Sequence, residues 1–254
     1  MLERLRKAHL LWPTLAALGG LAVLIGLGTW QMERKRWKEG LIARIAARVH
    51  ADPVSLDSAR GPTGGKDDLE YAHVSVWGRF HHDKERYVYA PTPEGLGWHV
   101  YTPLETSGGV LWVNRGYVPD MRKSPGTRSK GQTDAAVEVR GVVRLPSPTP
   151  GLFAARNDPA HNVWYWPDLA AMTASAFPGG SGRAPEGPQA GKTLPLVIEA
   201  DARPAPPGGL PQGGVTRLNL PNRHLEYALT WYGLAATLVG VYLAFLINRL
   251  RAEL

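Results

Sequence analysis

The chain has 254 residues, 44% of them hydrophobic, enough for one core-forming domain together with membrane anchors. Its net charge is +7, but residues 1–50 carry nine Lys/Arg against three Glu, so nearly all of the excess lies around the first apolar run. No basic stripe marks the central region, which argues against nucleic acid and for lipid headgroups as the charged partner, and the absence of cysteine removes disulfides, thiolate metal sites and covalent haem attachment.

After a short basic N-terminus (residues 1–9), the stretch from Leu10 to Trp30 contains no charged residue and is long enough to cross a bilayer core. Trp12 and Trp30 stand at its two ends, where interfacial aromatic belts form. The run is long for a signal-peptide core, and no small-x-small cleavage site follows it, so an uncleaved anchor is expected. Residues 31–50 continue as a charged helical extension. Across the junction Trp30, Arg34 and Trp37 recur at spacings of four and three, an aromatic-basic-aromatic stripe on one helical face. Interfacial anchoring explains such a stripe, and so does a docking surface for a partner or for an anionic cofactor edge.

Residues 51–218 read as a β-rich domain. "AHVSVWGRF" alternates, with Val74, Val76 and Phe80 on one face and Ser75, Trp77 and Arg79 on the other. "ERYVYAP" follows a turn at His81-His82-Asp83; adjacent histidines there would point to opposite faces, which suits a solvated turn better than a metal site. "GWHVYTPLETSGGVLWVNRGYVP" predicts a hairpin turning at Ser107-Gly108-Gly109. In its second strand Gly116 suits a positive φ, while Arg115 could pair with Asp120 or bind a carboxylate. "AVEVRGVVRL", "HNVWYW" and "LPLVIEA" supply further strands, and "PDLAAMTASAF" a helix capped by Asp168. The stretches 51–68, 121–133 and 177–192 read as loops. Short strands with turn signals predict a small barrel or sandwich of α+β type. Nucleophile elbow, P-loop, dinucleotide fingerprint and H-E-x-x-H are all absent, and nothing reads as an enzyme.

The second uncharged run, Tyr227 to Ile247, lies within a helix expected over residues 219–247, with residues 248–254 as a basic C-terminal tail. Small residues at four-residue spacing (Ala16 and Gly20 on the first span; Ala236, Gly240 and Ala244 on the second) would let the two helices approach closely. Two spans put both termini on one side of the membrane. At the mouth of the second span stand Arg217, Asn219, Asn222, Arg223 and His224, with Asn219 or Asn222 available as a cap. Tyr227, Ala228 and Trp231 follow His224 at i+3, i+4 and i+7 and share its face. A haem would find there an axial nitrogen, room over Ala228 between Tyr227 and Trp231, and arginines (Arg217, Arg223) for its propionates. The same histidine could instead hydrogen-bond a headgroup or a partner helix.

"GLGTWQMERKRWKEGLI", "GWHVYTPL", "VNRGYVP", "WYWPDL" and "NRHLEYALTWYGLA", in this order across nearly the whole chain, resemble the Surfeit locus protein family, whose members assist cytochrome c oxidase assembly. The resemblance implies two membrane helices flanking an extracytoplasmic domain. It implies a non-catalytic chaperone that binds haem a through His224 and helps place it in oxidase subunit I, with haem a synthase a further candidate partner. Trp30, Gln31, Arg34, Trp37, Arg115, Gly116, Tyr227 and Trp231 match other motif positions, the first three with Trp37 and Arg115 as candidates for partner binding. An apolar run that begins by residue 10 leaves no room for a mitochondrial presequence. The expected setting is therefore a bacterial inner membrane, with the central domain periplasmic and both termini cytoplasmic.

Overall fold

The computed structural model describes residues 10–61, 66–93, 95–146, 149–150, 154–178, 193–214 and 221–252. The chain divides into a helical unit, Met1–Ile45 with Asn219–Leu254, and a β unit, Ala46–Leu218. Among the described residues the α-helices longer than one turn are α1 (Leu11–Val49), α2 (Leu169–Ala176) and α3 (His224–Ala252).

Helix α1 runs 39 residues without a break, so the apolar run and the charged extension form one rod. Pro13 falls in its first turn, where a missing N–H costs little. The helix stops short of Pro53, whose ring disfavours helical backbone in the residue before it. At 1.5 Å per residue α1 is about 58 Å long, against roughly 30 Å of hydrocarbon, so its charged end must leave the bilayer core. Lys35 and Glu39 form an i,i+4 ion pair at 2.7 Å on that end. Both α1 and α3 are long and apolar enough to cross a membrane, and only 6% of each apolar window is buried within the protein. A core helix of a water-soluble fold would be covered. Here Leu15, Leu18 and Val23 of α1 and Leu229, Val241 and Leu243 of α3 stand outward, as lipid requires.

The two helices meet through small residues, at positions other than the four-residue series on α3. Ala228 and Ala235 are buried, whereas Ala236, Gly240 and Ala244 are exposed. Gly28 of α1 lies under the Tyr232 ring, and a Cβ there would come within 2.6 Å of it. The Thr14 and Tyr242 hydroxyls bond to each other at 2.5 Å. Ala228, Ala235 and Tyr242 recur every seven residues, which keeps them on one seam. A strict four-residue series drifts about 40° around the helix with each step and leaves it.

Among the described residues the β unit has eight strands: β1 (Val54–Ser55), β2 (His73–Phe80), β3 (Arg86–Tyr89), β4 (Gly97–Thr106), β5 (Gly109–Pro119), β6 (Val137–Arg144), β7 (Val163–Trp164) and β8 (Thr193–Ala200). Five of them close a barrel in the order β2-β6-β8-β5-β4, with β4 returning to β2 through the pairs Arg79↔Glu105 and Phe80↔Leu104. All pairs in the ring are antiparallel except β5 with β8. The predicted hairpin is β4–β5, closed at Thr106↔Gly109. The alternation read in β2 holds: Val74 and Val76 are buried, and Trp77 is exposed. Inside the barrel they meet Leu104, Leu111, Val113, Val139, Val143, Leu194, Leu196 and Ile198.

Strand β5 is buried on both faces, because Trp112 points the other way and packs with Trp164 and with Met172 of α2. Asp168 caps α2, its carboxylate accepting from the Ala171 amide at 3.0 Å. Gly116, at φ 115°, lies where a Cβ would be 1.8 Å from the Gln212 carbonyl oxygen, a stronger demand for glycine than turn preference alone. The stretch 51–68, read as a loop, carries β1 and one-turn helices at Leu56–Ala59 and Lys66–Leu69. The stretch 121–133 is largely 3₁₀ helix. Residues 179–192 of the third expected loop lie outside the described residues.

Candidate functional site

Within the helical unit the side chains of Gln31 on α1 and His224 at the start of α3 meet, although 193 residues separate them in sequence. His224 Nδ1 lies 2.7 Å from Gln31 Oε1. A carbonyl oxygen can only accept, so Nδ1 is the donor in this contact. Among the described residues the ring makes no second hydrogen bond. One turn before it the chain is tied to the same face of α1, where the Lys38 ammonium donates to the Pro221 carbonyl. Gln31 and Lys38 are seven residues apart, two helical turns, and so grip the entry to α3 from one side.

The neighbouring residues fall differently from the slot drawn on the sequence. Asn222 does not cap α3: its Oδ1 is buried and unpartnered, and the first helical hydrogen bond runs from the Tyr227 amide to the Arg223 carbonyl. Ala228 is buried, 1% exposed, and lies in the wall of a groove of about 430 Å³ lined also by Thr29, Met32, Arg36, Leu225, Leu229 and Tyr232 among others. Leu225, Leu229 and Tyr232 lie one position on from His224, Ala228 and Trp231, hence about 100° around the helix. Tyr227 is exposed and Trp231 half-buried, and neither lines the groove. The Arg223 side chain is largely exposed, its Nε 3.8 Å from Glu226 Oε2, a surface pair that leaves the guanidinium available. Arg217 and Asn219 lie outside the described residues.

The stripe on α1 is exposed as a unit. Trp30 and Trp37 are 53% and 50% exposed, and the Arg34 guanidinium stacks 4.0 Å over the Trp37 ring. Arg115, by contrast, is an interior residue of the β unit, 7% exposed, and pairs with Glu85 rather than Asp120. Glu85 is the hub of a buried network. It accepts from both terminal nitrogens of Arg128, from the Tyr87 hydroxyl at 3.0 Å and from Arg115 at 3.4 Å. Burial pushes its carboxyl up. The His82 ring at 3.9 Å and, more closely, Arg128 and Arg115 pull it down, and together they hold it at about 2. Arg115 also donates to the Gly131 carbonyl and the His82 ring, which itself reaches the Thr133 carbonyl. The adjacent His81 instead bonds to Glu105 at 3.1 Å, so the two histidines serve separate structural contacts.

Sequence reading missed Lys38, Glu85 and Arg128. "RSKGQ" sits in a stretch without periodicity, and nothing local says which carboxylate its arginine will find.

The sequence profile of the SURF1 family matches residues 18–236. The chain belongs to the SURF1 family. It is 39% identical to "Surfeit locus protein 1" of Mus musculus over 232 residues, covering 85% of this chain and 69% of that protein. The Homo sapiens "Surfeit locus protein 1" is 39% identical over 229 residues, covering 83% and 70%. A "SURF1-like protein" of Monosiga brevicollis is 35% identical over 253 residues, covering 93% and 87%. The family match covers the whole barrel, most of α1 and the first part of α3, including Gln31 and His224.

Proposed function

We propose that the chain is an assembly factor for cytochrome c oxidase that holds haem a through His224 and hands it to subunit I, without catalytic turnover. Family membership supports the assembly role. The observation that carries the haem reading is the His224 ring, fixed through Nδ1 with Nε2 left as a free donor at the end of a membrane helix. The donor set fits haem iron: one imidazole nitrogen, the exposed Tyr227 ring and the half-buried Trp231 ring on its face, and the exposed Arg223 for a propionate. Haem would supply only its iron and macrocycle as cargo. The chain's residues bind and orient it, and a single strong protein ligand on an open helix face suits release better than a closed cage. In this reading the inner membrane of a bacterium carries the protein, with the barrel on the periplasmic side.

The test is to purify wild type and His224→Ala from cells that make haem a and from cells that do not. Wild type from the first should carry a haem a spectrum, and the variant should lose most of it. Undiminished haem in His224→Ala would overturn the ligand role. A second reading, a scaffold that stabilises an oxidase assembly intermediate without haem, is favoured by the exposed Trp30–Arg34–Trp37 face. It predicts haem-free protein that still co-purifies with subunit I and loses it on Trp37→Ala.

A further inference from the structure

We infer that Gln31 is a positioning residue for His224: it selects the ring tautomer and orientation that leave Nε2 as the donor atom. The inference deepens the haem reading and rests on it for its consequence at iron, but not for the tautomer itself. Three observations carry it. The side-chain carbonyl of Gln31 faces Nδ1 at 2.7 Å, a normal N–H···O length. The ring has no competing partner among the described residues that would choose the other tautomer. And α1 holds the chain on the N-terminal side of the histidine through Lys38 and the Pro221 carbonyl, so the start of α3 is tied to α1 at two points.

An imidazole released into water prefers the proton on Nε2, the tautomer with the wrong nitrogen free. The hydrogen bond at one ring nitrogen decides which nitrogen is left for a metal, and it also sets how basic that nitrogen is. Most such partners are carboxylates or backbone carbonyls. A neutral amide orients the ring equally well while adding little basicity. That difference suits a ligand that must later let go.

The experiment uses full-length protein in detergent with ¹⁵N-labelled histidine, comparing wild type, Gln31→Met and Gln31→Glu. The His224 signals are identified among the eight histidines by their loss in His224→Ala. In haem-free wild type the ring should be protonated at Nδ1. Gln31→Met keeps the length and removes the acceptor, so the Nε2–H form should appear. Gln31→Glu restores an acceptor and should restore the Nδ1–H form. The same tautomer in wild type and Gln31→Met would overturn the inference, whatever haem does. In protein loaded with haem, Gln31→Met should bind about tenfold or more weakly. Gln31→Glu should bind, with a midpoint potential below that of wild type, because a carboxylate makes the imidazole a stronger donor. Coincident potentials in wild type and Gln31→Glu would also count against the role. Haem retained in His224→Ala would defeat the haem reading while leaving the tautomer result standing, so the two failures are told apart.

Discussion

Replacing Glu85 by glutamine leaves two guanidinium groups, Arg115 and Arg128, inside the β unit without a counter-charge. Glu85 is 3% exposed and Arg128 6%, so neither arginine can turn to water without opening the barrel's flank. Removing one partner of a buried pair typically costs about 3–5 kcal/mol. The carboxyl itself gives a second measure. It is lowered from 4.5 to about 2, and at 1.36 kcal/mol per pH unit that is roughly 3 kcal/mol of stability held by the charged form. The folded-state value lies below the unfolded one, so this contribution is full above about pH 4.5 and is lost as pH falls toward 2. Urea unfolding of the full chain, followed by fluorescence of the buried Trp112 and Trp164, should show Glu85→Gln about 3 kcal/mol less stable at pH 7. The gap between wild type and variant should then narrow between pH 5 and pH 2. A gap below about 1 kcal/mol at pH 7, or one that does not change with pH, would refute the buried-hub account.

His73 sits between two acceptors, the Ala51 carbonyl at 2.6 Å and Asp201 at 2.8 Å, which only a doubly protonated ring can serve together. Burial pulls its ionisation down, the two hydrogen bonds push it up, and the net direction is up. Its stabilisation is therefore present below the unfolded value of 6.5 and lost as pH rises through the folded one. Asp201→Asn should flatten the stability profile in that range, and an unchanged slope would dismiss the clasp. Gly116→Ala places a methyl group into the Gln212 carbonyl at a positive φ, a cost beyond the roughly 1–3 kcal/mol of backbone strain alone. Thermal unfolding near that of wild type would show that the strand end tolerates displacement.

Local signals explain most of what the sequence foretold. The β4–β5 hairpin is two apolar strands around Ser107-Gly108, and α2 begins where a carboxylate can cap it. Each of these is decided within about ten residues of chain. Barrel closure is different, because β4 returns to β2 through two residue pairs and β5 finds β8 in parallel, neither marked by any nearby turn. The same limit governed the polar residues. Asp120, five positions from Arg115, was the visible partner, but it accepts from Trp98 Nε1 at 2.7 Å, and the arginine reaches back thirty residues to Glu85. At the helix mouth His224 stood out as a polar residue ahead of an apolar run. Its link to Gln31 depends on how two helices rotate against each other, which neither segment encodes alone.

The position of β8 bears on how the barrel can be made. It is the last strand among the described residues, yet it sits in the ring between β6, its antiparallel neighbour, and β5, its parallel one. During synthesis from the N-terminus, β2, β4, β5 and β6 are all available before Thr193 emerges, and they can form only an open sheet with two bare edges. Those edges carry unpaired amides and carbonyls beside Val113 and Val143, the kind of surface that recruits other strands. A chain halted before residue 193 is thus an open sheet waiting for its keystone, and a premature stop there would leave an aggregation-prone fragment in place of a smaller barrel.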